Sequence, residues 1–402
     1  MKVTELDLPE VDLLSSQYES DPAAAFRAAR ERSWLAKTGE GFGVLTHADA
    51  RAIMKSPDFR VSFGYIDPTV SRYLHERQSS GLMASDGPRH VRLRGAAVRA
   101  LRPHIVDALR EPMREVIDQL LDAALTEDTV DLVKQVTDPY PARVMMPILG
   151  VPEQDVERLD RWASDSVMIF DVSRLAEQAP VIEASAREFA AYVEELVEDR
   201  RGDLGSDIIS ELIRVQESGE EHLSLEELVM LVTSLIPAAL DTTRGQLGLT
   251  MESLVRHPEQ WAKLVADPGL ASRAAEEGLR YAPAISGIQH EAVRDTEHRG
   301  VLFPAGTRVA IYPRSVNRDS DEYEDADSFS IERDPSLHFT FGFGPHACLG
   351  ARLARLEMSE ALAAMAARVA GWELNGEVRH MPMSSNGNRL SLPLRFRALT
   401  VR

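Results

Sequence analysis

The sequence predicts a mainly helical chain of the α+β class: a large helical part around one long central helix, with a smaller β-rich part. Three observations predict this. Apolar residues recur at three- and four-residue spacing through most of the chain up to Tyr281. One such stretch, residues 224–257, is far longer than an ordinary globular helix. By contrast, residues 285–311 and 372–401 read as short strands, punctuated by Pro304-Ala305-Gly306, Pro382 and Pro393.

The elements follow in order. A helix is predicted over 21–32, behind Ser20-Asp21-Pro22, and strands over 42–46 and 59–62. Thr46-His47-Ala48-Asp49 opens another helix. Residues 90–102, 106–125, 130–149 and 155–170 carry helical periodicity, although Pro139, Pro141 and Pro147 should break or bend the third. Helices over 182–201 and 207–217 precede the long one, in which Glu226 and Glu227 suit the positive N-terminal end of the helix dipole. Pro237 should kink or widen that helix, because it removes the donor that would bond the Thr233 carbonyl. Helices over 258–267 and 271–281 follow, and 317–337 has no periodicity and reads as an irregular loop.

Composition narrows the function. With no linker and no composition break, residues 1–402 are predicted to form one domain. A net charge of −19 argues against a nucleic-acid partner. A single cysteine excludes an intrachain disulfide and fits a reducing compartment. Residues 1–16 carry Glu5, Asp7, Glu10 and Asp12, unlike a signal peptide, and no apolar run is long enough to span a membrane. The expectation is a soluble, cytoplasmic protein with no membrane partner.

The one cysteine, Cys348, lies in Phe341-Gly342-Phe343-Gly344-Pro345-His346-Ala347-Cys348-Leu349-Gly350, directly before a helix-like run over 351–368. Glycines let backbone N–H groups approach the sulfur, and a helix N-terminus lowers a thiol's pKa. A lone cysteine is usually a small buried hydrophobe. The spacing of Phe341, Gly344, Cys348 and Gly350 argues otherwise, because it resembles the heme-binding loop of the soluble, bacterial-type cytochrome P450 family.

That resemblance, which runs from about Ala48 to Phe396, implies the cytochrome P450 fold, heme b as cofactor and Cys348 as the thiolate ligand of its iron. It implies that Phe341 shields the sulfur, that Gly344 lets the loop pass close to the porphyrin, and that His346 reaches a propionate. Ala238-Ala239-Leu240-Asp241-Thr242-Thr243 resembles the family's oxygen-binding groove, with Asp241 and Thr242 delivering protons to bound dioxygen. Ala239 stands where the family usually has glycine. His90 and Arg94, four apart on one helix face, resemble its propionate clamp. His290 stands where the family usually has arginine, on the second propionate. Glu277 and Arg280 form one of several Glu-x-x-Arg pairs in this chain, and alone would be a surface ion pair. Their context implies the family's buried network with Arg333, a structural role.

Substrate contacts are expected from five segments: Phe63, Tyr65 and Met83; Met168, Ile169 and Phe170; Leu235 and Ala238; Ile285 and Ile288; Ser385 and Asn386. Most are apolar, which suits a small hydrophobic substrate. The implied reaction is a monooxygenation that uses O2 and two electrons. With no G-x-G-x-x-G signature and no further thiol for an iron–sulfur cluster, those electrons should come from a separate ferredoxin and ferredoxin reductase. Arg94, Arg99, Arg352 and Arg355 are the expected basic docking patch. The competing readings are a heme-thiolate peroxygenase or oxidative coupling enzyme, and a catalytically silent recruitment protein.

Overall fold

In a computed structural model the residues described are 1–62, 66–170, 174–219, 222–381 and 389–399. The long helix is Leu225–Arg256. Its start is fixed by a capping box: the Ser224 hydroxyl accepts from the Glu227 N–H at 3.1 Å, and the Glu227 carboxylate accepts from the Ser224 N–H at 3.3 Å. Most of its side chains are buried, so it runs through the helical core rather than over it. The α-helical turns continue through Pro237 without the expected wide turn.

The wide turn occurs elsewhere. Residues 130–149, whose periodicity predicts one helix, divide into a strand, Thr129–Asp131, a π-helical turn, Val133–Thr137, and a helix, Pro139–Leu149. Pro139 takes the first helical position, where its missing N–H costs nothing. Leu175–Arg201 begins seven residues before the expected 182 and carries Pro180 in its first two turns. The loop over 317–337 is irregular, as its lack of periodicity suggests.

The long helix packs against Pro139–Leu149, Val156–Val167, Leu175–Arg201 and Ala271–Tyr281, and the helix Ala351–Ala366 closes the same core from the other side. A separate apolar cluster joins the β-rich part through Leu35, Val44, Ile53, Phe59, Val309 and Phe339. The main sheet has six strands in the order Glu10–Val11, Leu35–Thr38, Gly41–Val44, Arg308–Ile311, Ile288–Ala292, Phe59–Val61. It is mixed: two of its pairings are parallel and three antiparallel. Its register sets His290 between Val61 and Val309. A three-stranded antiparallel sheet, Val369–Leu374, Pro393–Ala398 and Thr129–Asp131, covers the far end of the helical core. No helix among the described residues is long and apolar enough to cross a membrane.

Candidate active site

Thr242 and Cys348 face a cavity between the long helix and the helix that follows Cys348. Ala238, Ala239, Thr242, Thr243 and Gln246 form one wall; Phe341, Cys348, Gly350, Leu353, Ala354, Glu357 and Met358 form the other. Leu279, Ala284, Ile285 and Thr340 close the side.

The Cys348 loop is held by its own backbone. The Cys348 N–H donates to the Phe341 carbonyl at 2.8 Å, and Gly344–His346 makes a single 3-10 turn. Gly344 has φ +77°, and a β-carbon there would lie 2.8 Å from the Met54 carbonyl oxygen. The neighbouring helix His47–Lys55 thus requires glycine here. Phe341 packs beneath the loop, with the Arg355 guanidinium 4.4 Å from its ring centroid. The thiol is exposed where it meets the cavity and enclosed by protein elsewhere. That enclosure pushes its pKa up; the N–H groups of Gly350 and Ala351 and the charges of Arg94 and Arg355 oppose it.

A polar group lies beside the loop. His90 is buried, and its Nε2 has no hydrogen-bond partner. Its ring lies 4.1 Å from that of His346, whose Nε2 is 3.1 Å from an Asp86 carboxylate oxygen. Arg94 donates to the Ala347 carbonyl at 2.7 Å. His290 is buried in its strand, and desolvation lowers its pKa to about 4, so it is neutral at neutral pH.

On the opposite wall, the Thr242 hydroxyl donates to the Ala238 carbonyl at 2.7 Å. Its own proton is thereby engaged, and its oxygen is left to accept from the cavity. Asp241 is buried and does not line the cavity. The Ala239 methyl does line the cavity.

Glu277, Arg280 and Arg333 come together as the motif implied. Arg280 donates to both Glu277 carboxylate oxygens at 2.8 Å and to the carbonyls of Asn317, Ala326 and Ser328. Arg333 Nε lies 3.3 Å from the same carboxylate. The other Glu-x-x-Arg pairs are at the surface: Glu111/Arg114, Glu198/Arg201 and Glu211/Arg214 are partly or largely exposed.

Of the expected substrate residues, Ala238 and Ile285 line the cavity. Met83 is exposed, and Leu82 beside it is buried. Met168 and Ile169 pack into a small separate cluster with Ile66, Leu74 and Ile182, and Phe170 is on the surface. Leu235 packs against the helical core and Ile288 against the sheet-side core. Phe63, Tyr65, Ser385 and Asn386 lie outside the described residues. The basic patch is largely neutralised: Arg352 pairs with Asp107 at 2.7 Å, and Arg355 with Glu276.

Two wall residues had no motif to mark them. Gln246, one turn beyond Thr242, accepts from the Ala284 N–H at 2.9 Å and donates to the carbonyls of Gly278 and Ala282, tying the long helix to the end of Ala271–Tyr281. The i+4 spacing from Thr242 was its only signal. Glu357 is fully buried with one carboxyl oxygen unpartnered, and burial raises its pKa to about 8 against a hydrogen bond from Thr243. It is therefore largely a neutral acid at neutral pH.

The sequence model of the family described as Cytochrome P450 matches residues 38–267 and 270–376, so the chain belongs to the cytochrome P450 family. It is 33% identical over 400 residues to luteothin monooxygenase of Streptomyces thioluteus, covering 98% of this chain and 97% of the relative. It is 31% identical over 360 residues to the mycinamicin IV hydroxylase/epoxidase of Micromonospora griseorubida, covering 89% and 87%. Among solved structures, P450BioI in complex with hexadec-9Z-enoic acid ligated acyl carrier protein aligns with TM-score 0.89 at 28% identity, over 95% of this chain and 100% of that one. The protein is a monooxygenase of the oxidoreductase class, and the family's cofactor is heme b.

The residues present fit that group. A sulfur meets an apolar cavity lined by Ala238, Ala239, Leu353, Ala354 and Met358, and a His/Arg group including an orphaned, buried His90 nitrogen stands beside the loop to receive carboxylates.

Proposed function

We propose that this chain is a heme-thiolate monooxygenase that hydroxylates or otherwise oxidises a small, mainly hydrophobic metabolite. The observation that carries this is the Cys348 sulfur on one wall of the cavity with Thr242 on the other. Cys348 would hold the heme iron, while His90, Arg94, His346 and neutral His290 would receive the propionates. The bound heme supplies the oxygen activation. Thr242 positions an acceptor oxygen at the distal wall, and Asp241 supplies protons from behind it. Ala238, Ile285 and Leu279 give the substrate an apolar surface. The named activities of relatives, a luteothin monooxygenase and a mycinamicin hydroxylase/epoxidase, favour a secondary metabolite as substrate.

Electrons are expected from a separate ferredoxin and its reductase, because the chain has one cysteine and uses it in the cavity. Arg94, Arg99, Arg352 and Arg355 are the basic side chains expected at the docking face, and Arg352 and Arg355 are also paired with carboxylates.

The deciding measurement is the spectrum of reduced protein under carbon monoxide, followed by turnover with ferredoxin and reductase. Expected are the long-wavelength Soret band of thiolate ligation, its loss in Cys348→His, and oxidised product in step with reductant consumed. A thiolate band with product formed only from added peroxide would instead favour the peroxygenase reading.

A further inference from the structure

We propose that Asp138, Asp160 and Arg244 form the outer segment of the path by which protons reach Asp241, with Asp138 as its central positioning residue. The inference rests on the role given above to Asp241 and Thr242.

Asp138 sits at an unusual place in the backbone. Its N–H donates to the Val133 carbonyl at 2.9 Å, closing the π-helical turn, and Pro139 begins the next helix immediately after it. Wide turns of this kind are rare and concentrate at functional sites. Both the turn and the helix after it pack against the long helix.

Four charges act on Asp138: Arg244 attracts, while Asp160, Asp131 and Asp241 repel. Arg244 lies on the long helix two residues after Thr242 and donates to Asp160 of the helix Val156–Val167. The side chain of Asp160 is 38% exposed and that of Arg244 13%, while Asp241 is 9% exposed. The group thus joins a partly exposed carboxylate, Asp160, by way of charge interactions to a buried one, Asp241, the neighbour of Thr242 in the chain. Asp131 is committed elsewhere: its carboxylate accepts from the Ser391 hydroxyl and the Leu392 N–H, with Lys134 at 3.5 Å.

Two polar atoms in this region lack protein partners. Arg244 Nε is buried without one, and so is the hydroxyl of Thr137, next to Asp138 in the chain. Buried polar atoms of this kind are normally satisfied by ordered water, which conducts protons between acids. Burial, reinforced by the three carboxylates, raises the Asp138 pKa to about 6. The group can then both hold and release a proton near neutral pH, as a relay must.

The test uses the heme-loaded full chain with a plant-type ferredoxin and its reductase, with dioxygen itself as the probe. Asp138→Asn should slow dioxygen consumption by about tenfold, short of the 10²–10⁴-fold typical of a group that transfers the proton directly. It should also enlarge the solvent isotope effect and abolish an inflection near pH 6; Asp138→Glu should restore the inflection. Asp160→Asn, at the exposed end, should produce a smaller slowing, and reads the path independently should Asp138→Asn fail to fold. An infrared band of a protonated carboxyl, lost in wild type as pH rises through about 6 and absent from Asp138→Asn, reports the group without turnover. Unchanged rate, isotope effect and infrared band in a variant that keeps the thiolate spectrum would overturn the inference. A wild type lacking that spectrum would overturn the proposed function, and this inference with it.

Discussion

Replacing Glu277 by Gln removes a charge from the centre of a buried network while nearly preserving its shape. Both Glu277 and Arg280 side chains are 3% exposed. The carboxylate accepts two bonds from Arg280 at 2.8 Å and one from the Ser330 N–H at 2.8 Å, with Arg333 Nε at 3.3 Å. Gln keeps one acceptor oxygen but turns an NH2 toward a guanidinium, so at least one strong bond becomes a donor–donor contact. The Arg280 charge is then balanced only by three backbone carbonyls. Breaking a buried pair from one side costs about 3–5 kcal/mol. The assay is guanidinium unfolding at fixed heme saturation, since bound cofactor shifts apparent stability. Glu277→Gln with Arg280→Met should cost less than the two single changes added together, because the uncompensated charge is then gone. A loss below about 1 kcal/mol for Glu277→Gln, with strictly additive effects in the double variant, would refute the claim that this network holds the loop before Cys348.

Gly344→Ala should cost about 2–3 kcal/mol and weaken heme retention, since alanine is strained at φ +77° and its β-carbon meets the Met54 carbonyl; heme-loss kinetics to an acceptor globin would show it. Thr242→Val keeps size but removes the acceptor oxygen, so peroxide release should rise and product yield fall severalfold, measured against reductant consumed. Glu357 has a folded pKa raised from 4.5 to about 8. The stability it allows is full below about pH 4.5 and is lost as pH rises through about 8, so Glu357→Gln should flatten the decline of unfolding free energy across that window. Gly278→Ala should destabilise by about 1–3 kcal/mol, because its β-carbon would overlap the Thr250 side chain where two helices cross, and Thr250→Gly in the same chain should recover part of the loss.

Much of the site was legible because its chemistry is local. Cys348 and the residues around it occupy ten consecutive positions, and a glycine-rich turn before a helix is encoded where it forms. The length of the periodic run over 224–257, with Glu226 and Glu227 at its start, announced the long helix for the same reason. The irregular loop over 317–337 was readable as well, since a segment without periodicity has no face to bury. Family spacing singled out Glu277 from several identical pairs, and the burial that separates it from them is visible only in the fold.

What the tertiary structure alone decided is which atoms meet. Gly344 is fixed by the Met54 carbonyl, a residue 290 positions away that no loop motif contains. The Asp241 side chain lies off the cavity while Thr242 lines it, because helical rotation and packing select the face. Met83, Met168 and Phe170 were expected as wall residues from the segments the family resemblance implies, yet an apolar side chain carries no address and packs wherever surface is available to bury. Glu357 gave no signal in sequence, where it is one acidic residue on a helix. Only the surrounding low-dielectric core makes it a neutral acid, and only the packing of the π-turn and of Val156–Val167 against the long helix brings Asp138, Asp160 and Asp241 within electrostatic reach of one another. Sequence therefore determined the cysteine loop and the long helix, because both are local patterns; the fold decided protonation and contact, because both depend on residues distant in the chain.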